Sequence, residues 1–283
     1  MNTVRKIEKM KSALRDVRSQ GMSVGFIPTM GYLHEGHLSL VKASLKGADC
    51  TVVSIFVNPT QFGPKEDLEE YPRDLARDSR LLEELGVDFQ FCPDYTEMYP
   101  PDYKTYVEVE DLQDKWEGLS RPGHFRGVCT VVLKLFNIVR PDVAFFGQKD
   151  AQQAIVLKRM VSDFNLDVRI EVMPTVREED GLALSSRNVY LNPEQRQAAL
   201  CLSRSLNEAV SKIRLGERRT APLMERMREI IDGEDLAKLD YIAIVDTDSL
   251  GPLKEIKKEA LIALAVYFGS VRLIDNIMVP AEE

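Results

Sequence analysis

Histidine is scarce in this chain, with three among 283 residues, and tryptophan occurs once. The four cysteines, Cys50, Cys92, Cys129 and Cys201, stand far apart and form no CxxC pair. That spacing argues against a zinc knuckle or a redox dithiol and fits a reducing interior better than a disulfide framework. No apolar run approaches the roughly 18 residues that would cross a bilayer, and residues 1–17 lack the apolar core of a secretory signal. A soluble cytoplasmic protein without a membrane partner is expected. A basic excess is missing too: 37 Lys and Arg face 45 Asp and Glu, a formal net charge of −8, which argues against a nucleic-acid partner. What the chain does have is 44% hydrophobic residues, enough for a packed core and incompatible with intrinsic disorder. Its length favours two domains.

Helical and strand periodicities alternate over the first 175 residues. Ile7, Met10, Leu14 and Val17 predict a helix with Asn2 or Thr3 as its N-cap and Gly21 at its end. Residues 24–27 read as a buried strand ended by Pro28, residues 37–45 as a helix and residues 50–57 as a strand. Leu75, Leu81, Leu82 and Leu85 mark a helix closed by Gly86, and residues 87–92 a strand. Residues 130–139 predict a helix, 143–146 a strand, 150–164 a helix and 168–173 a strand. Alternation of this kind requires crossover connections and hence a parallel sheet with helices on both faces. After residue 175 the pattern changes. Asn192-Pro193-Glu194-Gln195 is a capping box with proline at the first helical position. Two helices follow, then strands at 241–245, 261–266 and 273–279. The expected fold is α/β: a Rossmann-like doubly wound parallel sheet over 1–175 and a smaller C-terminal α+β domain over 176–283.

Two of the three histidines, His34 and His37, lie in the turn between the first core strand and its helix. In a doubly wound sheet such a turn sits at the carboxyl end of the strand, where ligands bind. Gly31 and Gly36 allow close backbone approach, and a helix N-terminus offers unpaired N–H groups to an anion. Imidazoles three residues apart share a helical face and can address one phosphate chain. The spacing alone also fits two surface histidines, and no third ligand accompanies them for zinc. Lys149 opens the helix after the strand at 143–146, where its charge and the helix N-terminus can meet the same phosphates, although a lysine there is also an ordinary surface residue. Asp150 reads as a ribose ligand, an orienter of Lys149 or a partner of the helix dipole. Gln61 and Gln153 can each donate and accept hydrogen bonds. Ser185-Ser186-Arg187 reads as a phosphate contact or an interdomain hinge. His124 and Arg126 are left without a catalytic role, Cys129 reads as a core residue, and residues 65–70 as a solvated face.

His34-Glu35-Gly36-His37 resembles the HxGH signature of the nucleotidyltransferase superfamily. Residues 28–37 (PTMGYLHEGH) resemble one family within it, the pantothenate synthetases, or pantoate–β-alanine ligases. Four more blocks are similar in the same order: residues 56–62 (FVNPTQF), 123–128 (GHFRGV), 145–153 (FFGQKDAQQ) and 181–188 (GLALSSRN). The resemblance implies ATP-dependent ligation of (R)-pantoate to β-alanine through an enzyme-bound pantoyl adenylate, releasing pyrophosphate and AMP. It implies His37, His34 and Lys149 as catalytic residues. It assigns ATP to Met30, Gly31, Tyr32, Leu33, His34, Glu35, Gly36 and His37, to Gly147, Gln148, Lys149 and Asp150, and to Val176, Leu184, Ser185, Ser186 and Arg187. Gln61 and Gln153 would hold pantoate, and Gln61 would border β-alanine. The first domain would bind ATP and pantoate, the second would close over the ATP site, and the enzyme would be a homodimer. ATP implies Mg²⁺, whose protein ligands the spacing does not identify; Asp78 and Asp150 are candidates only.

Three rival readings remain from the sequence. One is another small-molecule adenylyltransferase of the HxGH superfamily, which would keep the histidines without Gln61 and Gln153 in these settings. A tRNA ligase would need anticodon-binding mass and a basic surface. A silent nucleotide-binding scaffold predicts loss of His34, His37 or Lys149, all of which are present.

Overall fold

The computed structural model describes residues 1–64, 66 and 68–281. The chain divides into two compact units, one of Met1–Gly147 with Gln153–Pro174, the other of Gln148–Gln152 with Thr175–Glu283. The first unit contains β1 (Asn2–Val4), α1 (Ile7–Ser19), β2 (Val24–Thr29), α2 (Glu35–Gly47), β3 (Cys50–Ile55), α3 (Leu75–Leu85), β4 (Phe89–Phe91), α4 (Tyr95–Met98), α5 (Glu117–Ser120), α6 (His124–Val139) and β5 (Val143–Gly147). The helix α7 (Ala151–Asp163) and the strand β6 (Arg169–Met173) follow. The six strands form one sheet in the order β1-β4-β3-β2-β5-β6, and every pair is parallel. From β2 the chain winds outward through β3 and β4 on one side, then returns to lay β5 and β6 on the other. This is the two-way order of a doubly wound sheet, with its switch point between β2 and β5.

Alternation along the strands supplies both helix layers. Ile27, Val53, Val143 and Phe145 pack with Leu38, Leu40 and Val41 of α2 and Leu82 of α3. Phe26 points to the opposite face, where its ring meets Phe136 of α6 edge-on at 6.4 Å.

The ladder between β2 and β5 is short, with partners only at Gly25–Val143 and Phe26–Ala144. On the other side of β2 the pairing with β3 runs as far as Thr29–Ile55, and β5 pairs with β6 as far as Gly147–Met173. The backbone groups alternate. Ser23 and Thr29 offer their carbonyls to Cys50 and Phe56 on the β3 side, whereas Val24 receives Asp142 on the β5 side. Pro28 therefore faces β5, and it has no N–H to give. The expected end of this strand at Pro28 is corrected on the same ground: the β3 side needs nothing from Pro28, so β2 continues to Thr29.

Two further expectations change. Asn2 and Thr3 are not helix caps but belong to β1, paired with Phe89 and Gln90. Glu97, some 90 residues away in sequence, caps α1 instead: its carboxylate accepts the Ile7 N–H at 2.8 Å and the Lys6 ammonium at 2.8 Å. The helix α6 begins at His124 rather than residue 130, directly after Gly123 at φ +81°.

The second unit contains α8 (Pro193–Ala198), α9 (Leu200–Arg214), α10 (Thr220–Asp232) and the antiparallel sheet β7 (Ala237–Asp246), β8 (Ala260–Phe268) and β9 (Val271–Val279). Its core joins Leu202, Leu206 and Ile213 of α9 and Leu223, Met227 and Ile231 of α10 to Ile242, Ile244, Ile262, Leu264 and Val266 of the sheet. The capping box at Asn192 forms as expected: Asn192 Oδ1 accepts the Gln195 N–H, and Gln195 Oε1 accepts the Asn192 N–H. No helix among the described residues is long and apolar enough to cross a membrane.

Candidate active site

Beyond Thr29 the chain turns sharply. The buried Thr29 hydroxyl donates to the Ser54 carbonyl and accepts the Gly31 N–H. Gly31 and Tyr32 are both left-handed, at φ +88° and +51°. Gly31 has no room for a side chain, because a Cβ would lie 2.9 Å from Ile55 Cγ2 and 3.1 Å from Asp78 Oδ2. Asp78 of α3, only 1% exposed, holds this turn: one carboxylate oxygen accepts the Tyr32 N–H at 2.7 Å, the other the Leu33 N–H at 2.8 Å. Burial pushes the Asp78 carboxyl above its ordinary range, while the two amide hydrogen bonds and Arg77 oppose that shift. Leu33 then anchors the turn in the core.

His34 is the N-cap of α2, and its ring accepts the Gly36 N–H through Nδ1 at 3.2 Å. His37 Nδ1 accepts the His34 N–H at 3.3 Å, so the two rings form a reciprocal capping box in which imidazoles replace the usual hydroxyl and carboxylate. Their centroids lie 4.1 Å apart. An Nδ1 that accepts a hydrogen bond carries no proton, so each neutral ring holds its proton on Nε2. The pair thus offers two N–H donors from one helix N-terminus, which is itself favourable to an anion.

Gln61 lies in a 3-10 turn, Pro59–Gln61, beyond β3. Its Nε2 lies 3.3 Å from Met30 Sδ, which brings it against the turn that precedes the histidines. Asn58 holds it there. The amide of this buried residue donates to Gln61 Oε1 and to the Gly127 carbonyl, and its oxygen accepts from Thr60 and Tyr99. Gly127 lets α6 touch this loop, since a Cβ there would stand 2.3 Å from the Thr60 carbonyl oxygen. His124 lies beneath the loop: Nδ1–H donates to the Gln61 carbonyl at 2.9 Å, leaving Nε2 to accept from Arg121. Arg121 also forks onto Glu66, so the expected solvated face at 65–70 is wrong at Glu66; Lys65 and Asp67 lie outside the described residues. Arg126 stacks on Tyr106, its guanidinium 3.6 Å from the ring centre. Gln153 stands in the first turn of α7, beyond the carboxyl end of β5. Cys129 is fully buried in α6, as expected, and burial pushes its thiol up to about 12.

In the second unit, Gln148–Asp150 is a 3-10 turn that opens α7. Lys149 Nζ lies 3.7 Å from Asp150 Oδ1. The carbonyls of Gln148 and Lys149 both accept from the side-chain amide of Asn276. Leu184 donates its N–H to the Val176 carbonyl, and Ser185 caps the next 3-10 turn by accepting the Arg187 N–H. Ser186 is buried and Arg187 half-buried.

Sequence reasoning did not find Asp78 as a clamp, Asn58 as a hub, or Asp275 and Asn276. Polar residues in the apolar strand at 271–279 were the available signal, since Asp and Asn are depleted in strands. The candidacy of Asp78 for a divalent ion is corrected, because both its oxygens are taken by backbone N–H groups. Among the described residues no group of three or more His, Cys, Asp or Glu could hold a metal.

A two-way parallel sheet with a short ladder at its switch point, and a histidine pair capping the helix that follows β2, is the arrangement expected from the resemblance of residues 34–37 to the HxGH signature. Residues 2–278 match the family model described as pantoate-beta-alanine ligase. The chain is 59% identical over 270 residues to a pantothenate synthetase of Pelotomaculum thermopropionicum, covering 95% of this chain and 96% of the relative. It is 54% identical to that of Caldicellulosiruptor saccharolyticus, with 99% of each covered. A pantothenate synthetase structure from Thermus thermophilus superposes with a TM-score of 0.94 at 47% identity, covering 98% of this chain and 99% of that one. A pantoate-beta-alanine ligase from Francisella tularensis, complexed with beta-gamma ATP and beta-alanine, gives 0.79 at 35% identity, covering 98% and 97%. The chain belongs to the pantoate–β-alanine ligase family and is a ligase. A likeness that runs the whole length leaves the rival reading, another HxGH adenylyltransferase, without support.

Proposed function

We propose that this enzyme joins (R)-pantoate to β-alanine at the expense of ATP, through a pantoyl adenylate held in the site. Its family membership supports the overall reaction, and the paired histidines at the start of α2 carry the mechanistic reading. The pantoate carboxylate is ionised at neutral pH, because carboxyl pKa values lie near 4. No base is needed to create the nucleophile. The obstacle is an anion approaching a polyanion, so catalysis rests on positioning and on donors aimed at the phosphates. A carboxylate oxygen attacks the α-phosphorus and the bond to the bridging oxygen breaks, releasing pyrophosphate. His37 Nε2–H and His34 Nε2–H, with the Lys149 ammonium, stabilise the charge that builds on the departing group. The amine of β-alanine then attacks the acyl carbon, AMP leaves with the carboxyl oxygen, and the surplus amine proton passes to solvent.

Gln61 and Gln153 are assigned to pantoate, and Gln61 also to the edge of the β-alanine site. Residues 30–37 and 147–150, with Val176, Leu184, Ser185, Ser186 and Arg187, are assigned to ATP. Asp150 is assigned to this group as an orienter of Lys149, supported by their separation of 3.7 Å. Magnesium enters on the nucleotide's own phosphates, its usual mode in such enzymes, in keeping with the lack of a three-ligand His, Cys, Asp or Glu group among the described residues. A cytoplasmic homodimer is part of this reading. The family supports it, and four free, buried cysteines suit a reducing compartment. The test is to mix the protein with ATP, Mg²⁺ and pantoate before adding any amine. Pyrophosphate should appear at once and AMP only when β-alanine follows; pyrophosphate that waits for the amine defeats the adenylate reading.

A further inference from the structure

The strand β9 carries two adjacent polar residues, Asp275 and Asn276, at 2% and 4% exposure in an otherwise largely apolar run. Burying such groups is costly unless each is fully hydrogen-bonded, and here both are bonded to segments outside the sheet. The Asn276 amide donates to the Gln148 carbonyl at 3.0 Å and to the Lys149 carbonyl at 2.8 Å, and its oxygen accepts from Gln148 Nε2 at 2.9 Å. Two carbonyls facing one nitrogen fix which end of the amide points where. The Asp275 carboxylate takes Arg177 in a fork at 2.6 and 2.9 Å and accepts the Asn276 N–H at 2.8 Å. Arg177 also donates to the Gly181 carbonyl and pairs with Ala183 across a β-bridge. With the Leu184-to-Val176 bond, these contacts close residues 176–184 into a hairpin that delivers the chain to Ser185-Ser186-Arg187.

We propose that Asp275 and Asn276 are positioning residues: a two-residue bracket on β9 that fixes the backbone beneath Lys149 and the hairpin before Ser185, so that both segments present their charges to one nucleotide. This inference rests on the phosphate roles given above to Lys149 and Arg187. A lysine ammonium ends a flexible four-carbon stem, so its location depends on how firmly its own backbone is held. A 3-10 turn holds itself poorly, and the Asn276 amide supplies what the turn lacks. Arg187 depends in the same way on a hairpin that the Arg177–Asp275 fork anchors to β9.

The test uses shape-preserving variants of the full chain. Asn276→Asp turns two donors into acceptors facing two carbonyls, and Asp275→Asn removes the charge opposite Arg177. Pantoate-dependent pyrophosphate release is followed alongside thermal unfolding. Each variant should lose about tenfold to a hundredfold in kcat while folded at the assay temperature, the scale of a small misplacement of reacting groups. The loss from Asn276→Asp should largely vanish in a Lys149→Ala background, and that from Asp275→Asn in an Arg187→Ala background, because a bracket acts only through what it holds. Where Asn276→Asp does not fold, Asn276→Ala removes the donors without adding charge and is read in the same cycle. Folded variants with wild-type kcat, or losses that multiply in full with Lys149→Ala and Arg187→Ala, overturn the bracket and leave the ligase reading intact. A wild-type protein that releases no pyrophosphate overturns both.

Discussion

His34 and His37 each use ring Nδ1 to cap α2, so the pair to which the proposed mechanism assigns the phosphates also builds the helix start. Alanine at position 37 removes the proposed phosphate donor and the ring acceptor of the His34 N–H. Pyrophosphate release by His37→Ala should fall about a hundredfold, the size expected for one lost donor at a developing charge. A single-turnover assay checks this, and an unchanged rate removes His37 from the mechanism. Asp78 works one step back. In Asp78→Asn one oxygen becomes an amide that faces a backbone N–H, leaving a buried donor unsatisfied at about 1–3 kcal/mol. Unfolding should shift to lower denaturant by that amount, and kcat should fall more than the KM for ATP rises. The histidines were legible because HxGH is a local pattern. Asp78 was not, because its meaning comes from two N–H groups more than 40 residues earlier in the chain, on a different element.

Elements were legible wherever periodicity decided them and illegible wherever a distant partner did. The strands β3 and β5 and the helices α2, α3 and α9 follow their apolar spacing. The start of α1 does not, since its cap is Glu97 of α4. The Lys6 hydrogen bond, and then the Ile7 amide, hold the Glu97 carboxyl below the usual range. A depressed carboxyl contributes stability that is present above the ordinary pKa, near 4.3, and is lost as pH falls through the folded value. The difference in melting temperature between wild type and Glu97→Gln should therefore be largest near pH 6 and shrink towards pH 3. A gap constant across that range refutes the capping role. The contact of α6 with the Pro59–Gln61 turn was equally hidden, because it depends on the missing side chain of Gly127. Gly127→Ala would press a methyl on backbone at 2.3 and 2.5 Å, so the turn must move and carry Gln61 with it. The KM for pantoate should rise about tenfold or more, with the KM for ATP affected less. Steady-state kinetics in each substrate separate the two effects.

Across the whole molecule, the four cysteines that stand far apart in the sequence share one environment. All four are free and buried, and burial pushes the thiols of Cys50, Cys129 and Cys201 up to about 12 and that of Cys92 to about 11. The native enzyme should resist a thiol reagent at pH 8 and release four equivalents only after denaturation. Rapid titration of even one thiol in the native state contradicts this. The doubly wound order also followed from the alternating pattern, since parallel neighbours admit few connections. The brace of β9 on the Lys149 turn was beyond reach, as nothing local in residues 273–279 says what the strand touches.

Pro28 ties the covalent formula to the shape of the cleft. A residue with an amide hydrogen at this place would invite β5 to zip one rung further, or would strand a donor in the gap. Proline does neither, so the two strands part by default rather than by force. The short ladder between β2 and β5 is therefore built into the fold, and no rung has to be undone to part the strands there. On the ligase mechanism proposed above, binding free energy that would otherwise go into prising the sheet apart stays available to orient the reactants.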